Sequence, residues 1–353
     1  MTTPLPHSLT DLLTSGLGDS ESKLITDGLI HRTYRLKTGT TNYLLQSVNK
    51  NIFSYPKGLI DNHLILFDHF LAPDTPFTHP LAQPLLFPNR DWLFQDESGN
   101  TWRLCEYIEG SCTRSGVEDA AQAYALADFF ARFTRHASTL DSSNWHIPLP
   151  NFHDLEARFS QWELAIRNDP AKRKKDLLAL IEELNGRQVY VNFYSGMRQN
   201  PNFPLRMMHH DAKLSNVLID AQTDQWLCPI DLDTVMPGYF FSDLGDMIRS
   251  LCNTAPREDS PASDISFRAD IYEALLQGYR IGMSGTLSRQ EEEQLDMAGP
   301  LITYMQTLRF LTDHVNGDLY YQIDHPGQNL ERALNQFTLL KKMEAYLKEK
   351  GRL

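Results

Sequence analysis

The chain has 353 residues, of which 41% are hydrophobic and 22% charged, and its net charge is −12. That length suits two domains or one domain of two lobes, and it can bury a full core without disulfide or metal staples. The acidic balance argues against a sequence-independent grip on nucleic acid or an anionic membrane, and no uncharged apolar run approaches the roughly 18 to 20 residues a membrane span needs.

The start, Met1 to Leu13, holds Asp11 and no basic cluster ahead of an apolar stretch, so no secretory signal is expected. Thr33–Lys37 and Tyr43–Ser47 are short β-prone runs on either side of the turn-forming Thr38–Asn42. Pro56 to Phe70 carries Leu59, Ile60, Leu64, Phe67 and Phe70 at helical spacing. Asp91–Gln95 and Thr101–Tyr107, joined by Asp96–Asn100, predict a second hairpin. Residues 1–108 therefore read as a small antiparallel α+β lobe: hairpin, one main helix, hairpin. Beyond Ile108-Glu-Gly110 the period lengthens. Ala121, Ala125, Phe129 and Phe133 define an amphipathic helix, and so do Leu301, Met305, Leu308, Leu311 and Val315, then Leu330, Leu334, Phe337, Leu340 and Leu347. These stripes are read as core packing, and residues 109–353 as a larger, mostly helical lobe. Cys105, Cys112, Cys228 and Cys252 have no metal-ligand spacing, which predicts reduced thiols in a cytoplasmic protein.

The informative stretch runs from Met207 to Asn253. It contains His209-His-Asp-Ala-Lys-Leu-Ser-Asn216, the apolar Val217-Leu-Ile219, and Trp226-Leu-Cys-Pro-Ile-Asp231. Asp231 stands twenty residues beyond Asp211, room for a loop, a strand, a tight turn and a returning strand. Phosphoryl transfer asks a protein to align a hydroxyl with the γ-phosphorus and to neutralise developing charge. Asp211 can accept the hydroxyl's hydrogen bond and take its proton late, and Lys213 can swing toward the γ-phosphate. Asn216 and Asp231 offer hard oxygen ligands to Mg²⁺. His209 is expected to brace the loop. A hairpin whose Asp and Asn cap turns is the bland alternative.

With those residues in view, the segment resembles the catalytic core of the aminoglycoside phosphotransferase and choline kinase group. More narrowly it is similar to the N-acetylhexosamine 1-kinases. The matching landmarks include Gly28-Leu-Ile, Tyr43-Leu-Leu-Gln46, Asn49-Lys-Asn-Ile-Phe53, Trp102-Arg-Leu104, Ile230-Asp-Leu-Asp-Thr-Val-Met-Pro-Gly238, Asp243-Leu-Gly-Asp246, Arg309-Phe-Leu-Thr-Asp313 and Asn316-Gly-Asp318. The resemblance implies a protein-kinase-like bilobal fold with ATP in the cleft and Mg²⁺ on Asn216 and Asp231. It implies a hinge at Glu106, Tyr107 and Ile108 bonding adenine, Gly28 over the phosphates, and a buried Asp243 holding the catalytic loop. It also associates Arg309 and Tyr320 with sugar binding, with Tyr304 nearby on the same helix.

Two departures stand out. Kinases place Lys on the third strand, paired to a helix Glu. Here Gln46 occupies that place and Asp61 would be the helix acid, with Lys213, Lys50 or Arg32 as candidates for the missing charge and Lys213 favoured. In the first loop, Leu29 replaces a polar residue near the sugar. The leading reading is a Mg-ATP kinase of a small hydroxyl acceptor, most of all a sugar at its anomeric 1-hydroxyl. Aminoglycoside or choline-type acceptors, a catalytically silent nucleotide-binding protein, and an HD-type phosphohydrolase built on His210-Asp211 are the alternatives.

Overall fold

The computed structural model describes residues 5–25 and 30–353. In chain order the first elements are α1 (His7–Leu17), β1 (Ser20–Ile25), β2 (Arg32–Thr38), β3 (Thr41–Val48), α2 (Pro56–Phe70) and β4 (Pro84–Leu85). Next come β5 (Phe94–Gln95), β6 (Thr101–Glu106), β7 (Ser111–Cys112), α3 (Ala120–Ala137), α4 (Leu155–Asn168), α5 (Leu178–Asn185) and α6 (Gln188–Arg198). The remainder is β8 (Arg206–Met208), β9 (Val217–Asp220), β10 (Trp226–Pro229), β11 (Met236–Gly238), α7 (Phe241–Leu251), α8 (Ala269–Gly282), α9 (Arg289–Glu293), α10 (Ala298–Asn316) and α11 (Gln328–Glu349). They form two compact units. One comprises the residues up to Arg114 with 139–150 and 215–236; the other comprises 115–138, 151–214 and 237–353.

In the first unit an antiparallel sheet runs β1-β2-β3-β6-β4, with β5 also on β6. The β2–β3 hairpin turns at Gly39-Thr40, where Gly39 takes φ 57°, a value glycine reaches without steric cost. Tyr34, Leu36 and Leu45 from this hairpin pack with Trp102 and Leu104 of β6 and with Leu9 and Leu13 of α1. Each such side chain, fully buried, stabilises by about 1.5–3 kcal/mol. Helix α1 is an addition to the single helix expected here; only its two inward leucines mark it. The expected helix at 56–70 forms, with Pro56 in its first turn. The second hairpin is shorter than expected, because Asp91 closes a turn, its carbonyl accepting from the Phe87 N–H at 2.9 Å.

Two later segments, 139–150 and 215–236, group with the first unit. Hydrogen bonding explains both. Strand β9 pairs with β7 (Ser111↔Asp220, Cys112↔Ile219), giving a β10-β9-β7 sheet. Asn62 of α2 reaches both backbone groups of His146, at 2.7 and 3.0 Å.

The second unit is helical. Its α3 begins at the N-cap Asp119, which accepts from Gln122 N–H at 2.9 Å, and packs against α8. Leu301, Met305, Leu308, Leu311 and Val315 of α10 are all buried, as are Phe337, Leu340 and Leu347 of α11. Leu334 departs from the expected stripe and faces outward at 41% exposure. All four cysteines are free thiols.

Candidate active site

In the second unit, β8 ends at Met208 and the chain continues as an irregular loop through His209, His210, Asp211 and Lys213. The HD-phosphohydrolase alternative needs its dyad on a helix and fails on this point. Asp243, in the first turn of α7, is wholly buried and accepts from the backbone N–H groups of His209 (3.0 Å) and His210 (2.6 Å) and from the Thr134 hydroxyl (3.2 Å). Burial pushes its carboxyl above the usual range. Its helix starts at Phe241, so Asp243 does not cap it. His209 Nδ1 accepts from the Asp211 N–H at 3.3 Å, and its ring meets Phe130 and Phe133 edge-on. His210 holds φ 65°, and a Cβ at Gly238 would come within 2.5 Å of its ring, so the motif's closing glycine is dictated by this approach. Lys213 Nζ donates to the Asp211 carboxylate at 2.8 Å.

Asp211 opens onto a pocket lined also by Phe152, His153, His210, Asp246, Arg249, Ile302, Met305, Gln306 and Arg309. Arg249 pairs with Asp246 at 2.8 Å. Arg309 does not make the i,i+4 bridge to Asp313 that its spacing allows. It donates to Gln306 (3.0 Å) and lies 5.1 Å over Phe152 and 5.7 Å from Tyr321. The Asp313 carboxylate instead accepts from the N–H groups of Leu319, Tyr320 and Tyr321 and from Asn329. Arg158 bonds only neutral oxygens, those of Gln161 and Phe152, and its Nε is buried without a partner. Neither Arg158 nor Arg309 has a carboxylate partner among the described residues. Burial, with Arg309 next, holds the Arg158 guanidinium below its ordinary value. His153 is kept neutral, far below its ordinary value, by burial and then by His210, Arg309, Arg249 and Arg158.

Of the predicted acceptor residues that are described, only Arg309 lines this pocket. Tyr304 is a correction: it is fully buried and its hydroxyl donates to the Leu184 carbonyl at 3.0 Å, so it is a core residue. Tyr320 is 66% exposed and packs edge-on to Tyr321. Leu29, like Gly28, lies outside the described residues.

In the first unit, the β9–β10 hairpin pairs Val217 with Pro229, and the Ile230 N–H donates to the Asn216 carbonyl at 2.9 Å. That register sets Asn216 across from the strand end that leads into Asp231. Gln46 of β3 lies opposite Arg103 of β6. Its Oε1 accepts from Arg103 Nε at 2.9 Å, and its amide donates to Thr33 at 3.0 Å. Both Arg103 Nη groups donate to Asp233, at 2.6 and 2.7 Å. Asn49 N–H donates to His31 Nδ1 (3.1 Å), so the ring's proton sits on Nε2 and is donated to Asp233 at 2.7 Å. His31, Asp231 and Asp233 have ligand atoms within 4.8 Å of one another. Arg103 takes both Asp233 oxygens, while the Asp231 carboxylate and the Asn216 amide oxygen are donors of the hard type that Mg²⁺ prefers. Burial opposes the Arg103 and Asp233 charges, yet their attraction outweighs it and holds Asp233 well below the usual carboxylate range.

The cation beside Gln46 is therefore Arg103, which sequence reasoning passed over. Lys50 donates to the Gly99 carbonyl, and Arg32 is exposed. Asp61 is engaged by Lys57 at 2.7 Å and His146 at 3.5 Å. At the expected hinge, Glu106 N–H is bonded to Gln83 O (2.8 Å), Tyr107 lies 4.8 Å beneath Arg35, and the Ile108 carbonyl accepts from Ser111. Sequence reasoning also passed over Phe152, His153, Asp246, Arg249 and Gln306. Of these, Asp246 closes a landmark motif and Gln306 sits one helical turn before Arg309.

The profile of the phosphotransferase enzyme family (APH) matches residues 21–286, and the chain belongs to that family. The fold class is α+β, protein-kinase-like. Solved structures share it: a microcompartment-associated aminopropanol kinase (15% identity, 98% of this chain and 99% of that one, TM-score 0.65) and a choline kinase of Cryptosporidium parvum Iowa II (14%, 98% and 97%, 0.58). A spectinomycin phosphotransferase in complex with ADP and spectinomycin is 11% identical over all of both chains, with a TM-score of 0.58. No helix among the described residues is long and apolar enough to cross a membrane.

Proposed function

We propose that the protein is an ATP- and Mg²⁺-dependent kinase that transfers the γ-phosphate to a hydroxyl of a small acceptor without an ammonium group, foremost the anomeric 1-hydroxyl of an N-acetylhexosamine or related sugar. The observation that carries this reading is the pocket in which Asp211 stands with Arg309, a guanidinium bonded only to a neutral amide and flanked by the equally unpaired Arg158. An ammonium brought beside Arg309 would meet a like charge that has no carboxylate partner among the described residues, which is an element of rejection. Sugar oxygens suit it: guanidinium and amide groups donate to hydroxyls, and Phe152 offers a flat apolar face.

The acceptor O–H donates to the Asp211 carboxylate. Its oxygen attacks the γ-phosphorus as the bond to the β,γ-bridging oxygen breaks, ADP leaves, and the proton passes late to Asp211. Lys213, held on Asp211, supplies positive charge, while His209 and Asp243 fix the loop. Asn216 and Asp231 would hold Mg²⁺, which when bound neutralises charge on the phosphate oxygens. Backbone groups of Glu106, Tyr107 and Ile108 would serve adenine, and Gln46 would line the nucleotide side. ATP use is supported by the fold relative that holds ADP with its acceptor.

ADP release is the measurement, taken with Mg-ATP against N-acetylhexosamines, other neutral sugars, aminoglycosides, choline and aminopropanol. Turnover confined to sugars is expected, and Asp211→Asn should abolish it while leaving nucleotide affinity within about twofold. Preferred turnover of the amines overturns the acceptor reading, and an active Asn variant removes Asp211 as the base.

A further inference from the structure

We infer that Arg103 and Asp233 form a clamp that holds the metal-binding Asp231 against the nucleotide-binding sheet, replacing the lysine–glutamate bridge between strand and helix; the inference rests on the kinase reading above. Kinases keep a cation on the third strand. Here that place holds Gln46, and the cation comes from the residue directly opposite it on β6. Gln46 receives Arg103 Nε, and both Arg103 Nη groups are given to Asp233 in a fork. Arg103 is 4% exposed. So enclosed, it has no face to offer a phosphate, and its action must pass through what it holds.

Asp233 lies within the short 3-10 turn Leu232–Thr234, and Asp231 immediately precedes that turn with φ 59° and ψ 51°. A non-glycine residue enters this left-handed region only at a cost, and the surrounding structure must enforce it. Three anchors do so: Ile230 N–H on the Asn216 carbonyl, Arg103 with His31 on the Asp233 carboxylate, and Trp145 Nε1 on the Val235 carbonyl at 3.1 Å. The central anchor is the charged one. Without it the turn is free to relax, carrying the Asp231 carboxylate off its ligand position. Arg103 and Asp233 are thus positioning residues, not catalytic ones.

The test uses a fluorescent ATP analogue titrated against the full-length protein, first in EDTA and then across Mg²⁺ concentrations, together with thermal midpoints. Arg103→Met and Asp233→Asn should each raise the Mg²⁺ concentration for half-maximal nucleotide binding on the order of tenfold, the scale at which groups that orient metal ligands act. Affinity in EDTA should not change. A single substitution leaves one buried charge unpaired, so Arg103→Met with Asp233→Leu is the companion variant; it removes both charges and should fold while keeping the Mg²⁺ defect. A lowered thermal midpoint with an unaltered Mg²⁺ requirement overturns the inference, because the pair would then be structural only. Loss of affinity in EDTA also overturns it, because Arg103 would then serve the phosphates directly. Parent protein that binds no Mg-nucleotide at all defeats the kinase reading itself, an outcome distinct from either.

Discussion

Asp243 and His63 are both taken out of water, one to hold a loop and the other to line a core. The Asp243 carboxylate is kept by three donors, two of them consecutive amides of the loop that carries Asp211. His63 of α2 donates from Nε2 to the Ala82 carbonyl (2.9 Å), and burial, then Arg103, lower its pKa from 6.5 to about 4. The unfolded chain therefore binds a proton at this imidazole that the folded chain refuses. Its contribution to stability is complete above pH 6.5 and is lost as pH falls toward 4, by about 3 kcal/mol. His63→Gln can keep the carbonyl contact without a titrating group, so urea unfolding between pH 7 and 4 should show a shallower loss than the parent. An equal slope would show that His63 is not desolvated. At this scale, Asp211, Asn216 and Asp231 could be proposed from sequence because they lie within one short stretch whose residue types suit phosphoryl transfer. Arg103 could not, because its partner Asp233 lies 130 residues away and only folding pairs them.

Helices were legible where their period was long and regular, as in α2 and α10, and least so where the signal was brief, as in α1 and β5. Contacts between helices had no such signal. Gly245 of α7 packs so closely on α10 that a Cβ would strike the Ala298 carbonyl and reach Ile302. The glycine is part of a landmark motif, yet nothing in the sequence says which helix it admits. Gly245→Ala should force α10 outward at a cost of about 2 kcal/mol. Because α10 carries Ile302, Met305, Gln306 and Arg309 to the pocket, acceptor KM should rise along with the fall in Tm. Unchanged Tm and KM would mean that the two helices have slack between them.

Over the whole molecule, the free thiols report on packing in both units. Cys105 and Cys228 are buried, and burial pushes their thiols up to about 11 and about 12; the buried Cys252 is likewise raised well above its ordinary value. Cys112 is only half-buried. A thiol-reactive chromogen at neutral pH should therefore label one cysteine quickly and the other three only on denaturation, since the thiolate is the reactive form. Two or more fast thiols would show that one of these cores opens readily. Period and turn chemistry were enough to read an α+β class and the 56–70 helix, because those are properties of neighbours along the chain, and the family resemblance added the protein-kinase-like arrangement. Tertiary structure alone decided that Arg103 is a cation beside Gln46, that Tyr304 belongs to the core, that Arg309 bonds Gln306 and not Asp313, and that 215–236 packs with the first unit. Each of these depends on which distant groups share a buried space, and burial and charge pairing are energies of proximity in three dimensions.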